Sequence, residues 1–197
     1  MDYKIRFATP DDYDLIYALK TESIRPYVEK IWGWDEDYQK KDFDGDFSNM
    51  EQFNVIEIDG KLVGFVQYYF DYPYFEVVEI HLLPEFRGKG IGSDLLQYLQ
   101  KVCIAQDRKI RIGCFKENHR AKALYQKLGF MQTEETETHY ILEYPNYTII
   151  PYHEKYRDDM IFMVLQAKDA LGRVPGLNED LLDVQKNYID KGDMFWL

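Results

Sequence analysis

The stretch of residues 76–97 constrains the fold most, because it predicts a strand, a tight loop and a helix in immediate succession. An apolar, partly β-branched run over residues 77–83 has the length of a buried strand, and Pro84 ends it by withdrawing a backbone donor. Glycines then alternate with other residues over 88–92, and apolar residues recur at helical spacing over 91–103. The chain is therefore expected to contain an α/β junction at which a glycine-rich loop opens a helix.

This junction is suited to binding an anion. The first turn of a helix has unpaired N–H groups, and the helix dipole adds roughly half a positive charge there. Arg87 and Lys89 supply further positive charge, so a phosphate or pyrophosphate is the expected ligand. A P-loop would need Ser or Thr directly after Lys89, and a dinucleotide fingerprint would need Gly-x-Gly-x-x-Gly where this loop has Gly88, Gly90 and Gly92. The spacing disfavours both.

Two blocks resemble the GNAT (Gcn5-related) family of N-acetyltransferases. The first is the loop itself, since Arg87, Gly90 and Gly92 match the Arg/Gln-x-x-Gly-x-Gly/Ala pattern that binds the pyrophosphate of acetyl-CoA. The second is similar to Asn-x-x-Ala-x-x-Leu-Tyr followed by Leu-Gly-Phe, and its residues are Asn118, Ala121, Leu124, Tyr125, Leu128, Gly129 and Phe130. The resemblance covers about residues 3–144 and implies an α/β (α+β) GNAT domain over 1–144, with a mixed, mostly antiparallel sheet flanked by helices.

The resemblance also implies acetyl-CoA as cosubstrate and no metal. In this family the strand before the loop and the strand after its helix splay apart, and the pantetheine arm lies between them. The residues expected to hold acetyl-CoA are Ile80, Leu82, Arg87, Gly88, Lys89, Gly90, Ile91, Gly92, Ser93, Asn118 and Tyr125. The histidines show no metal-ligand spacing.

Amine acetylation needs a neutral amine, a stabilised oxyanion and a protonated leaving thiol. By resemblance, Tyr125 is the acid that protonates the thiolate. Glu76 and Glu79 are the candidate bases, and they should point to opposite faces of a regular strand because they lie three residues apart. Glu76 is favoured, since it lies eleven positions before Arg87, where the family often carries its proton acceptor.

An aromatic and acidic stretch follows the first predicted helix, in the region that lines the acceptor side of the cleft in this family. Tyr27, Trp32, Trp34 and Asp35 could form an aromatic wall with a carboxylate for an ammonium group. The alternative is that the tryptophans are core residues and the acids a solvated helix start.

The other elements follow from local signals. Strands are predicted at 3–7, 53–58, 62–69, 110–115, 130–133 and 139–144, with Asp59-Gly60 as a hairpin turn. The first helix should begin after Thr9 and end at Arg25-Pro26. The two cysteines, Cys103 and Cys114, are expected to be buried thiols.

Residues 145–197 form a C-terminal extension that is mainly helical. A strand at 147–149 and an amphipathic helix over about 153–171 echo the start of the chain, so the segment resembles the front half of a second GNAT unit; a plain helical extension is the alternative. Its apolar stripe of Met160, Met163, Val164 and Leu171 should be buried against the first domain or a second subunit. The last residues, 194–197, should pair with a sheet edge or lie in a subunit interface.

The net charge indicates which classes of ligand the protein is expected to bind. A net charge of −11 argues against nucleic acid and suits a cationic amine. No apolar run reaches membrane-spanning length and no signal peptide is evident, so a cytoplasmic protein without a membrane partner is expected. The prediction is an acetyl-CoA-dependent N-acetyltransferase acting on a primary amine of a small molecule or peptide, with a homodimer left open. The alternative is a non-catalytic GNAT-fold module that binds CoA as a sensor or partner.

Overall fold

A seven-stranded sheet forms the centre of the computed structural model, which describes residues 2–145, 150–173 and 178–197. The strands are β1 Lys4–Phe7, β2 Phe53–Ile58, β3 Lys61–Asp71, β4 Tyr74–Leu82, β5 Lys109–Phe115, β6 Met131–Glu135 and β7 His139–Tyr144. Their order across the sheet is β1-β2-β3-β4-β5-β7-β6. Among these strands β4 and β5 pair in parallel, and the other neighbours pair antiparallel. The predicted mixed, mostly antiparallel sheet is confirmed.

Helices cover both faces of this sheet. On one face, α1 (Tyr13–Ile31) and α2 (Glu36–Phe47) bury Ile16, Leu19, Phe43 and Phe47 against Phe53, Val55 and Phe65. On the other face, α3 (Ile91–Ala105) and α4 (His119–Lys127) pack on β4, β5 and β7. The apolar spacing of α3 predicts its buried side, which consists of Ile91, Leu95, Leu96, Leu99 and Cys103. Cys103 and Cys114 are buried free thiols, as expected.

The first helix differs from the prediction. It runs through Pro26 to Ile31 instead of ending at Arg25-Pro26. A proline inside a helix removes one backbone hydrogen bond and costs about 3 kcal/mol. Burial of Val28 in the following turn helps to offset that cost, which the local sequence could not reveal. The hairpin prediction is confirmed, since Asp59 and Gly60 have the positive φ angles, 52° and 72°, of a tight two-residue turn.

The chain divides into two compact units, Met1–Asn146 and Tyr147–Leu197. The second unit contains α5 (Arg157–Ala170) and the short α6 (Val184–Asn187), with 3₁₀ turns at Glu154–Tyr156, Glu179–Asp183 and Ile189–Lys191. The strand predicted at 147–149 lies outside the described residues. No helix in the described part of the chain is long and apolar enough to cross a membrane.

Within this single chain, the second unit differs from two expectations. The apolar stripe is only partly buried, since Met160 is buried whereas Met163 and Leu171 are exposed. The terminal segment pairs with residues 150–152 of its own unit, through mutual backbone hydrogen bonds between Ile150 and Leu197 at 2.9 Å and a bond from Tyr152 N to Phe195 O at 2.8 Å. These residues satisfy each other's backbone groups, so no sheet edge elsewhere is needed.

Candidate active site

The candidate site is a cleft of about 1210 Å³ that opens where β4 and β5 separate. The two parallel strands pair from Tyr74 opposite Lys109 to Val77 opposite Ile112, and the pairing stops there. Beyond that point, residues 78–82 of β4 form one wall and residues 112–115 of β5 form the other. This is the splayed arrangement that the sequence resemblance implied.

The glycine-rich loop closes one end of the cleft. Gly88 and Gly90 adopt positive φ angles of 76° and 91°, which residues with a side chain rarely adopt, and Gly90 caps the N-terminus of α3. Arg87 Nε donates to the carbonyl of Leu82 at 2.7 Å and so ties the loop to the end of β4. The N–H groups of residues 91–93 head the helix, where they can bind an anion.

Positive charge gathers around this end. Arg87, Arg120 and Lys127 line the cleft from the loop and α4. Lys89 is not among the lining residues, and its ammonium lies 5.0 Å from the ring centre of Phe86. Arg120 was not predicted from the sequence, because it occupies a variable position within the second block.

Helix α4 brings two predicted residues to the cleft. Asn118 caps the helix, its Oδ1 accepting from Ala121 N at 3.1 Å, and it also lines the cleft. Tyr125 is buried at the cleft wall, and burial raises the pKa of its hydroxyl above the usual value. The phenol therefore carries its proton at neutral pH.

The two candidate bases on β4 lie on the same face of the sheet, contrary to the expectation for a regular strand. A β-bulge leaves Val78 without a partner on β3, since Gln67 pairs with Glu79 and Tyr68 with Val77. As a result Val77 and Ile80 both pack toward α3 and α4, and Glu79 faces α1, where it meets Lys20.

Of the two carboxylates, Glu79 lines the cleft and Glu76 is not among the lining residues. Glu76 forms an ion pair with Arg111 on β5. Burial raises the pKa of the Glu76 carboxyl, although the charge of Arg111 opposes the shift. The strand therefore presents Glu79 to the cleft and holds Glu76 beside the paired part of β5.

Glu79 belongs to a buried charged cluster that the sequence did not reveal. Lys20 Nζ lies 2.6 Å from Glu79 Oε1 and 3.3 Å from Asp46 Oδ2, and His81 Nε2 lies 2.9 Å from Glu79 Oε2. Burial alone would raise the pKa of the Glu79 carboxyl, but the His81 hydrogen bond and the Lys20 charge together hold it below the usual value. Glu79 and Asp46 likewise hold the pKa of Lys20 above its usual value, against the effect of burial.

One face of α1 and one face of α2 line a further side of the cleft. Tyr27 and Trp32 line it, and the Tyr27 ring stacks on Phe115 of β5 with ring centres 5.1 Å apart. Trp34 is not among the lining residues, because its indole N–H donates to Glu36 at 2.8 Å and its ring lies against Arg25. The lining residues from α2 and its N-cap recur at helical spacing, and they are Asp35, Tyr38, Gln39 and Asp42.

Several other lining residues were not predicted from the sequence, notably Lys20, His81, Phe115, Arg120 and His139. No signal in one sequence links them, because they come from different elements that only the fold brings together. Among the residues that the structure describes, no group of three His, Cys, Asp or Glu side chains could hold a metal ion.

Comparison with known proteins agrees with this geometry. The family model described as the acetyltransferase (GNAT) family matches residues 16–130. An uncharacterized N-acetyltransferase of Archaeoglobus fulgidus is 33% identical over 147 residues, which are 66% of this chain and 95% of the relative. A second one, from Methanocaldococcus jannaschii, is 33% identical over 147 residues, 67% of this chain and 62% of the relative.

The fold also has similar solved structures. The PaiA N-acetyltransferase of Thermoplasma acidophilum, in complex with coenzyme A, aligns with a TM-score of 0.60 at 21% identity, covering 74% of this chain and 99% of that one. An N-acetyltransferase of Staphylococcus aureus aligns with a TM-score of 0.58 at 18% identity, covering 71% and 99%.

Proposed function

Because the chain belongs to the GNAT family of acetyltransferases, we propose that it transfers the acetyl group of acetyl-CoA to a primary amine of a small molecule or peptide by direct attack. The observation that carries the proposal is that one cleft joins an anion-binding helix N-terminus, the protonated phenol of Tyr125 and the carboxylate of Glu79. These are the groups that acetyl transfer from a thioester to an amine requires.

The donor end of the cleft suits acetyl-CoA. The N–H groups at the start of α3, together with Arg87, Arg120 and the nearby Lys89, would bind the pyrophosphate. The pantetheine arm would lie between β4 and β5 along Ile80 and Leu82, and Asn118 lines the same passage. The β4 edge beyond Val77 has lost its β5 partner, so its backbone N–H groups there can donate to the carbonyl oxygen of the bound thioester.

The chemistry divides between the two sides of the cleft. The amine nitrogen attacks the thioester carbon, the C–S bond breaks, and Tyr125 donates its proton to the departing thiolate. The proton that the ammonium group must lose leaves on the opposite side. On that side the carboxylate that lines the cleft is Glu79, whereas Glu76 is paired with Arg111.

The charges of the cleft favour a cationic acceptor. Among the described lining residues, the positive side chains of Arg87, Arg120 and Lys127 lie on the loop and α4, and Lys20 on α1 is paired with Glu79 and Asp46. Asp35, the N-cap of α2, and Asp42 on α2 line the other side. These two aspartates are separated by about 10 Å along the helix. An acceptor with a positive charge beyond the reacting amine would therefore find a partner at this end.

The test is to incubate the pure protein with acetyl-CoA and single amines and to follow release of free thiol. The panel would contain n-butylamine, putrescine, spermidine, amino acids, an aminoglycoside and peptides with a free N-terminus. We expect thiol release with at least one amine, faster with dications than with n-butylamine, and reduced in Asp35→Asn and Asp42→Asn. Tight acetyl-CoA binding without thiol release in any mixture would favour the non-catalytic CoA-binding module instead.

A further inference from the structure

His81 is a cleft residue with no assigned role in the proposed reaction. It lies on β4 two residues after Glu79, its side chain is 16% exposed, and it lines the cleft. The imidazole packs against the ring of Phe65 on β3, with ring centres 5.3 Å apart. Its Nε2 lies 2.9 Å from Glu79 Oε2.

Glu79 itself is poorly suited to accept a proton from the substrate. Lys20 occupies one carboxylate oxygen and His81 occupies the other. These partners also hold the pKa of the carboxyl below its usual value, so near neutral pH it is a weak base. General-base catalysis is most efficient with a group whose pKa lies near the working pH, and imidazole is the side chain with that property.

The Glu79 contact fixes which imidazole nitrogen is available. Because the Glu79 carboxylate can only accept, the His81 nitrogen that faces it must donate, and the proton lies on Nε2. In neutral His81 the lone pair is then on Nδ1. Within the described part of the chain, no hydrogen bond engages Nδ1.

We propose that His81 is the catalytic base, and that Glu79, itself held by Lys20, is a positioning residue that keeps Nδ1 of His81 free for the acceptor amine. The inference rests on the proposed acetyl transfer. One proton of the ammonium group passes to Nδ1, directly or through a water, and the resulting imidazolium is stabilised by the Glu79 carboxylate before it releases the proton to solvent. A second proton leaves nitrogen after the N–C bond forms, and restores Tyr125, whose own proton has gone to the CoA sulfur.

Charged side chains from three elements lie around His81. Glu79 lies on the same strand, Lys20 faces the pair from α1, and Asp46 faces Lys20 from α2. The neighbouring strand β3 contributes the uncharged ring of Phe65. A second cleft histidine, His139 on β7, packs on Phe115, and burial lowers the pKa of its imidazole. His139→Gln is therefore a further control that separates its contribution from that of His81.

The kinetic test compares His81→Gln with the wild-type chain, using the amine that releases most thiol in the panel above. Glutamine retains a side-chain N–H for Glu79 but cannot take a proton. We expect kcat at pH 7 to fall by about 10²–10⁴ with acetyl-CoA affinity unchanged in calorimetry. The variant should recover toward the wild-type rate as pH rises, because more of the amine is then already neutral. His153→Gln, outside the cleft and in the second unit, is the matched control.

Three results are informative. If His81→Gln loses activity equally at all pH values, the residue is structural and the proposal is overturned. If Glu79→Gln abolishes turnover while His81→Gln stays near wild type, Glu79 is the base. If the wild-type chain binds acetyl-CoA but acetylates none of the amines, the proposed function fails instead.

A measurement without any acceptor tests the same geometry. Long-range ¹H–¹⁵N correlation spectra of ¹⁵N-histidine-labelled protein, with His81 assigned from the His81→Gln variant, report the tautomer. We expect the Nε2–H form at pH 8 in the wild-type chain and a mixture of both tautomers in Glu79→Gln. A neutral His81 with its proton on Nδ1 in the wild-type chain would overturn the proposal.

Discussion

Replacing Lys20 with methionine tests the buried ion pair beneath the cleft, because methionine keeps much of the side-chain volume and removes the charge. The Lys20 ammonium lies 2.6 Å from Glu79 Oε1, and the two side chains are only 8% and 14% exposed. Removing one partner of a buried pair costs about 3–5 kcal/mol, since the remaining charge is left without compensation. His81 still engages the other oxygen of Glu79, so we expect a loss near the lower end of that range, about 3 kcal/mol.

The contribution of the pair depends on pH in a defined direction. The pKa of Glu79 is lowered in the folded chain, so its stabilisation is present above the ordinary carboxyl pKa, about 4.3, and is lost as pH falls through the folded value. The pKa of Lys20 is raised, so its stabilisation is present below the ordinary value, about 10.4, and is lost as pH rises through the folded value. The difference between the wild-type and Lys20→Met chains should therefore be largest between these limits.

The assay is urea unfolding at pH 7, followed by far-ultraviolet circular dichroism. Lys40→Met is the matched control, because it removes the same side chain from an exposed pair with Asp44, which should contribute little. The double variant Lys20→Met with Glu79→Met should recover much of the loss, since no unpaired buried charge remains. A Lys20→Met chain as stable as Lys40→Met would refute the reasoning.

Three further predictions concern the cleft. Arg87→Ala combined with Gly90→Glu should abolish acetyl-CoA binding in calorimetry with an unchanged circular dichroism spectrum, since a donor is lost and a carboxylate is placed at the anion site; retained affinity would contradict the loop's role. Tyr125→Phe should lower kcat by about 10² at unchanged acetyl-CoA affinity, and an unaltered kcat would exclude the phenol as acid. A chain ending at Tyr144 should still bind acetyl-CoA, because the cleft residues all precede that position, and loss of binding would show that they do not suffice.

Features that depend on residues close together in sequence could be predicted. The strand, loop and helix around the glycines, the Asp59-Gly60 turn and the Asn118 cap each follow from spacing and backbone preference within a few residues. The two sequence blocks therefore sufficed to identify the family. The helix through Pro26 could not be predicted, because its continuation depends on packing of the residues beyond it.

Most of the cleft lining that α1 and α2 contribute could not be predicted from the sequence. In the sequence Lys20 has the features of an ordinary surface lysine. Nothing near it in the chain indicates that it pairs with Glu79 and Asp46. Of the aromatic residues proposed to bind the acceptor, Tyr27 and Trp32 line the cleft, whereas Trp34 does not, and its indole donates to Glu36. The surroundings of Lys20 and the position of Trp34 both depend on contacts that the local sequence pattern does not show.

The bulge at Val78 explains why alternation along β4 misidentified the faces of the two glutamates. Val77 and Val78 are adjacent β-branched residues, so the sequence does not show which of them is the extra one. Without the bulge, Glu79 would share the face of Val77 and point toward α3, because side chains alternate along a regular strand. The extra residue turns Glu79 and His81 toward α1 and leaves Ile80 facing α3.

The bulged residue Val78 also marks the point where β4 separates from β5, since the preceding residue, Val77, forms the last pair with β5, opposite Ile112. The β-bulge at Val78 therefore lies next to both parts of the proposed site, the gap between β4 and β5 and the Glu79–His81 pair. In the proposed reaction the pantetheine arm would lie between the separated strands, and the reversed alternation places Glu79 and His81 on the α1 side of that passage. Because both effects begin at one residue, the proposed thioester site and the proposed base would occupy neighbouring positions along β4, which is the arrangement that direct attack by an amine requires.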